Sequence, residues 1–311
     1  MDPFRPTLPP PGRLVRLSVV LTHQNSPERL LQLARMCDRM CGRAGIGAIW
    51  IEPGDPTEAR GVLESVAAAT DRIRLGLHAA LPPGSEGSEG SGAALEALAT
   101  SLVAACGDRA ELSLRGRPAP IARSAFHTDL TFSVEAEPAD PAALARWLTV
   151  ADDLLLPAGP VDRVAEAASA VRRACAAAGR DPATLGIAAR LPVSVGRTIA
   201  EAWARWEADP AFAALGDPAE AAVFGTLEQC HDRVITLAHA GVTDLRCLLP
   251  NTPDVHDVIA QITAMTIGTV DKLLPGAPRS PAPPPPAGWG GRPRFPSGSA
   301  STGLSGGGPG R

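Results

Sequence analysis

The sequence has no tyrosine, and its single lysine, Lys272, stands against 28 arginines. That skew fits GC-rich coding better than a functional demand. It also removes one chemistry, because a Schiff-base aldolase or lyase needs a lysine amine in its pocket, and Lys272 follows the last helical pattern. There is no apolar run of about eighteen residues, so no membrane-spanning helix is expected. The opening "MDPFRPTLPPPGRLVRLSVVL" lacks the basic-then-apolar layout of a signal peptide, and a cytoplasmic location is expected. Six cysteines are scattered. Cys37 and Cys41 lie one helical turn apart, but no second cysteine or histidine pair follows at zinc spacing, so buried free thiols and no metal site are expected. A net charge of −4 without a basic stripe argues against nucleic acid as a partner. No Ser/His/Asp arrangement or P-loop occurs, and no G-x-G-x-x-G follows the first strand pattern.

What remains is a chain of 311 residues, 45% hydrophobic, long enough for one large core or two modest ones. Residues 1–13 are proline-rich. Residues 274–311 are dominated by proline and glycine and include "PAPPPPAG". Both ends have too few apolar groups to offset ordering entropy and are expected to be disordered, the tail being either a spacer or a polyproline II docking segment. The folded domain is expected at 14–273.

Within it, strand and helix patterns alternate. Strands are expected at "RLVRLSVVL", "IGAIWIE", residues 72–79, "RAELSLRG", "DLTFSVEAE", "DDLLLPAG", "GIAARLPVSVGRT" and "TDLRCLLP". Helices fall between most of them, the first capped by Ser26 with Pro27 at its first position. About eight strand–helix units in this length indicate an α/β fold, a (β/α)8 TIM barrel, with a doubly wound sheet as the structural alternative. Only a short stretch, around residues 114–129, separates the fourth and fifth strands, so one βα unit is shortened there.

Several segments resemble the luciferase-like monooxygenase superfamily: "GIGAIWIE", then "AAATDRIRLGLHAAL", later "AGRDPATLGIAARLPVSVGRTIAEA" and "VFGTLEQCHDRVITLAHAGVTDLRCLLP". The resemblance spans about Leu14 to Met265, with the motifs in order. It implies a TIM barrel that holds FMN or coenzyme F420 at the C-terminal ends of its strands. The implied activity is oxidation, monooxygenation or hydride transfer on a small organic substrate. Glu52 matches an acidic residue of the family. The histidine that usually follows is replaced by Pro53, and "GSEGSEGSG" replaces the usual loop after the third strand.

Under this resemblance the mouth residues become candidates. Glu52 is a catalytic carboxylate or a salt bridge to a neighbouring strand. His78 and His23, both at strand ends, are general acids with a pKa near neutrality or solvated polar groups where strands become loops. Trp50, Gly76 and Leu77, with Ile51, offer a bed for the isoalloxazine ring. Ser194, Gly196, Arg197 and Thr198 form either a phosphate cradle at a helix N-terminus or an ordinary helix start with Thr198 as N-cap. His231, His239 and His256 fall on helices and are expected to face solvent. Asp152 and Asp153 are expected to finish a helix–strand turn. Trp203 and Trp206, three apart on a helix, suggest core packing or an interface, which leaves a homodimer open. The competing functional class is a barrel without turnover that binds a flavin or a protein.

Overall fold

A computed structural model describes residues 15–22, 25–41, 45–52, 56–80, 89–115, 130–135 and 141–273. The expectations for residues 1–13, 274–311, His23, Pro53, residues 84–88 and the shortened stretch after Arg115 lie outside these, while the last four residues of "GSEGSEGSG" open a helix rather than extend the loop. The elements run β1 (Arg16–Thr22), α1 (Pro27–Arg39), β2 (Ile46–Glu52), α2 (Pro56–Ala68), β3 (Arg74–Ala80), α3 (Glu89–Cys106), β4 (Ala110–Arg115), β5 (Thr131–Glu135), α4 (Pro141–Val150) and β6 (Asp153–Leu156). There follow α5 (Val161–Ala177), β7 (Gly186–Gly196), α6 (Ile199–Ala208), α7 (Pro210–Ala213), α8 (Pro218–Ala221), β8 (Val223–Thr226), α9 (Leu227–Ala240), β9 (Asp244–Leu248) and α10 (Val255–Leu273).

Strands β1 to β7 pair in parallel with their neighbours in chain order, and β9 closes the ring between β7 and β1. The result is a closed eight-stranded parallel barrel, and the doubly wound alternative is excluded. The short β8 stands outside the ring, paired with the far end of β7 from Val193 to Gly196. It is an addition to the expected strands. The last helix also runs beyond Met265, so Lys272 lies within α10 rather than after it.

Local chemistry explains the elements. Ser26 Oγ accepts from Arg29 N at 3.3 Å and opens α1, while Leu30, Leu33, Ala34 and Cys37 recur at helical spacing and are buried. α9 starts with a capping box between Thr226 and Gln229 and ends at Gly241, whose φ of 101° suits a residue without Cβ. The strand residues Leu17, Val19, Ile49, Ile51, Leu75, Leu77, Leu112 and Val134 join the apolar helix faces in one continuous layer. Alternate residues must then face the barrel interior. A smaller cluster of Trp206, Phe212 and Phe224 ties α6 and α7 to β8.

"TDRIRLG" now has a structural reason. Thr70 Oγ1 donates to the Val66 carbonyl at 2.8 Å and ends α2. The Asp38 carboxylate of α1 accepts from Asp71 N, Arg72 N and Ile73 N at 3.3, 2.9 and 2.8 Å. Partial burial opposes its ionisation, but those three N–H groups and Arg72 hold its pKa below the usual value. Arg72 also donates to the Asp38 carbonyl at 2.9 Å. Ile73 and Leu75 enter the core, and Arg74 turns inward.

Among the described residues no helix is long and apolar enough to cross a membrane, and no group of three or more His, Cys, Asp or Glu could hold a metal ion. All six thiols are free, and five of them are buried. Burial pushes Cys37 and Cys230 up to about 12 and Cys106 up to about 11, so none is an activated nucleophile.

Candidate functional site

The barrel interior is polar, in two tiers. At the N-terminal ends of the strands, Arg16 of β1 reaches the Glu111 carboxylate at 2.6 and 3.0 Å and Asp244 at 2.7 Å. Arg74 of β3 pairs with Glu111 through Nε and donates to Thr131 Oγ1 at 2.9 Å. Ser18 Oγ donates to Asp244 at 2.6 Å. Burial opposes ionisation of Glu111, yet Arg16 and Arg74 hold its carboxyl below the usual range; Arg16 and Arg246 do the same for Asp244. These charges complete the closed end of the barrel, where fixed pairs serve stability.

Asp153 belongs to the same tier rather than to a turn. It opens β6 facing inward, with its carboxylate 3.5 Å from Ser133 Oγ, and burial pushes its pKa up to about 6 against the pull of Arg16 and Arg246. Gly186 of the neighbouring β7 leaves it room, since a Cβ there would stand 1.6 Å from Asp153 Oδ1. Asp152 Oδ2 accepts from Phe132 N at 2.9 Å instead.

Above this tier lie the aromatic groups. Trp50 of β2 is fully buried in the interior with Val20 and Ala48. The Arg246 guanidinium sits 3.5 Å from the centroid of its ring. Trp50 ring atoms also lie 2.3–2.6 Å from where a Gly76 Cβ would be, so β3 must carry glycine at that point. His78, two residues on, is buried and stacks on Trp50 with ring centroids 4.8 Å apart. At the C-terminal end of β2, Glu52 forms an ion pair with Arg190 of β7, with side chains 17% and 18% exposed.

The structure therefore brings Trp50, Gly76 and His78 together, with Glu52 following Trp50 on the same inward face. Glu52 makes the inter-strand salt bridge that sequence reasoning held open. Leu77 and Ile51 are not brought to the interior, because period-two alternation turns them into the sheet–helix layer. Trp50 is no open bed either, since Arg246 covers its ring.

The segment from Ser194 to Thr198 has the geometry of a helix start. Thr198 Oγ1 accepts from Glu201 N at 3.2 Å as the N-cap of α6, and the Glu201 carboxylate accepts from Arg197 N at 3.0 Å. Ser194 Oγ is buried and donates to the Ala202 carbonyl at 2.8 Å. Gly196 is needed for helix packing, as a Cβ would lie 2.7 Å from both Ala202 N and the Thr198 carbonyl. Arg205, buried under α6, holds Glu201 and Asp254, each at 2.7 Å. A phosphate entering here meets a fixed carboxylate.

The other histidines correct the expectation of solvent exposure in two cases. His231 is buried and donates through Nε2 to the Met265 carbonyl. His256 is half-buried, with Nδ1 3.0 Å from Met36 Sδ. His239 is exposed. Trp206 is buried, whereas Trp203 is 37% exposed against Phe224.

Sequence reasoning missed Arg16, Ser18, Glu111, Ser113, Ser133, Asp153, Arg190, Asp244 and Arg246. The available signal was alternation of charged with apolar residues in "RLVRL", "RAELSLR" and "TDLRCL". In a closed barrel such charges point inward and have to balance.

No protein-family model and no curated protein matches the sequence. Solved structures do match in fold. The coenzyme F420-dependent tetrahydromethanopterin reductase from Methanopyrus kandleri is 14% identical with a TM-score of 0.62, covering 82% of this chain and 99% of that one. An F420-dependent secondary alcohol dehydrogenase, solved with an F420–acetone adduct, is 12% identical with a TM-score of 0.61 over 83% and 99%. The monooxygenase RslO1 from Streptomyces bottropensis is 15% identical with a TM-score of 0.59 over 84% and 99%. At these identities the likeness establishes the fold alone, a closed parallel (β/α)8 barrel.

Proposed function

We propose that this chain is an oxidoreductase that takes a flavin-type cofactor, FMN or F420, at the C-terminal mouth of its barrel and acts on a small organic substrate. The observation that carries this reading is the set at the ends of β2, β3 and β7: the Glu52–Arg190 pair above a buried Trp50–His78 stack. The chemistry of that donor set fits a redox-active heterocycle, whose ring carries both acceptors and a protonating nitrogen. The cofactor supplies hydride or oxygen chemistry when bound. The chain's own residues bind, orient and move protons. Arg190 presents a guanidinium held in place by Glu52, and Glu52 is the partly exposed carboxylate at the rim. His78, buried against Trp50 below the Glu52–Arg190 pair, is the candidate proton carrier, with His23 as the second candidate acid. Trp50 fixes the His78 ring by stacking and keeps water from the interior side.

The phosphate end fits less well at Ser194, Gly196, Arg197 and Thr198. Their polar groups, apart from the exposed Arg197 guanidinium, serve the start of α6. That observation favours the second reading, a barrel that keeps its fold without turnover, as does Pro53 in place of the family histidine.

Titration of the purified protein with FMN and with F420, followed by fluorescence, decides between them. Micromolar binding of one, with turnover lost in His78→Ala or Glu52→Gln while binding persists, supports the oxidoreductase. Binding of neither overturns it.

A further inference from the structure

Three buried polar atoms below the mouth have no hydrogen-bond partner among the described residues: Trp50 Nε1, Ser113 Oγ and Arg246 Nη1. All three residues are fully buried. Such groups are costly unless something meets them, so each asks for an account.

They lie in one neighbourhood. Arg246 stacks on Trp50 at 3.5 Å. Its Nε donates to Asp244 at 3.2 Å and its Nη2 to Ser133 Oγ at 2.8 Å, which leaves one edge of the guanidinium open. Ser113 of β4 is the cross-strand neighbour of Ser133 on one side and of His78 on the other. His78 in turn stacks on Trp50. Small residues share the inward face of the neighbouring strands: Gly76 pairs with Trp50, Ser18 with Ala48, and Ala188 with Asp244.

The donor set has one sign. An indole N–H can only donate, a guanidinium can only donate, and a serine hydroxyl adapts to either role. A ligand that satisfies all three must therefore present acceptors. The open guanidinium edge favours a charged one, since hydrogen bonds from a guanidinium to an oxyanion are the strong, geometrically matched kind. Three carboxylates, Asp244, Asp153 and Glu111, act on Arg246, and none of them meets its Nη1. Asp244 is shared among Arg16, Ser18 and Arg246, and burial holds the Arg246 pKa below its ordinary value despite Asp244, Asp153 and Glu111.

We infer that the barrel interior holds a binding site for a small monovalent oxyanion, a carboxylate or an inorganic anion of that size, on Arg246, Trp50 and Ser113. The site needs no cofactor, so failure of the FMN and F420 titrations leaves it standing, and its own failure leaves them standing.

The test uses the full chain, titrated with sodium formate, nitrate and butyrate against sodium chloride at matched ionic strength. Tryptophan fluorescence and the unfolding midpoint are followed. A saturable fluorescence change and a raised midpoint with formate or nitrate, absent with chloride, are expected. Ser113→Ala, which removes one hydroxyl from a strand and leaves the fold intact, weakens binding about tenfold, the loss of one hydrogen bond to a charged group. Arg246→Lys, which keeps the charge but not the open edge, abolishes it. Butyrate binding as well as formate identifies the carboxylate head of a larger molecule; formate and nitrate alone identify a free anion. Both outcomes support the site. No saturable effect of any oxyanion, an equal effect of chloride, or unchanged affinity in Ser113→Ala overturns it and leaves buried water as the partner of these atoms.

Discussion

The two ends of the barrel interior are built on opposite terms. At the N-terminal ends of the strands, Glu111 sits between Arg16 and Arg74, and Asp244 between Arg16, Ser18 and Arg246. Acid and base meet there at hydrogen-bond distance. Toward the C-terminal ends, the Glu52–Arg190 pair is partly exposed, and Trp50, Ser113 and Arg246 keep donors unmet among the described residues. Satisfied polar groups hold a fold together, whereas unsatisfied ones are kept only where something else will meet them. The N-terminal end is therefore built of mutually satisfied charges, and the C-terminal end keeps the polar groups on which the proposed function rests.

The largest expected effect tests this division directly. Glu111→Gln takes a fully buried carboxylate from two guanidinium groups that are each about a quarter exposed, and breaking a group that shares one buried charge costs up to about 3–5 kcal/mol. Glu52→Gln breaks a single pair, both side chains under a fifth exposed, leaves Arg190 an amide oxygen as acceptor, and is expected to cost less than Glu111→Gln, while cofactor affinity or turnover changes. Urea unfolding of both variants at pH 7 gives the comparison. Equal losses would mean that the two ends are built alike.

A smaller effect sharpens it, because Asp153 is the one carboxylate of the closed end that burial pushes up, to about 6, against about 3.9 in the unfolded chain. Between about pH 4 and 6 the folded state holds a proton that the unfolded state has lost, so stability falls as pH rises through that window. Asp153→Asn removes the liability. The variant is expected to be more stable than the parent at pH 7.5, by roughly 1–3 kcal/mol, and equal to it near pH 4. A loss at pH 7.5 would show that the Asp153 charge balances Arg246 more than burial penalises it.

The eight barrel strands were legible because each is an apolar run bounded by turn residues, a pattern that survives wherever both sheet faces are buried. β8 was not, because its four residues run directly into the capping box of α9, and the helix signal absorbs them. Glu52, Trp50, Gly76 and His78 were legible as positions at or near strand ends. Their partners were not, since Arg190 and Arg246 come from strands more than a hundred residues away in sequence. Nothing local marks a charge as buried; "DLRCL" reads as a half-exposed strand until the ring closes. The reverse error occurred at Leu77, where proximity to a strand end suggested the mouth and alternation sent the side chain the other way. Asp153 was hidden for a similar reason, since an acid that opens a strand ordinarily belongs to the preceding turn.

The smallest expected effect concerns Thr198, where the sequence left two readings open and the hydrogen bonds fit a helix start. As the N-cap of α6 it satisfies Glu201 N, and replacing such a cap by alanine costs about 1 kcal/mol. Glu201 lies in the first turn of the same helix, where its carboxylate accepts from Arg197 N and its charge complements the helix dipole. Thr198→Ala is therefore expected to lower the unfolding free energy by about 1 kcal/mol with unchanged affinity for FMN and F420. Thr198→Ser is expected to restore the stability, because the hydroxyl alone makes the cap. A phosphate cradle would behave otherwise, with cofactor affinity falling several-fold in the alanine variant while stability barely moved. Measuring both quantities on the same two variants separates a helix that caps itself from one that waits for an anion.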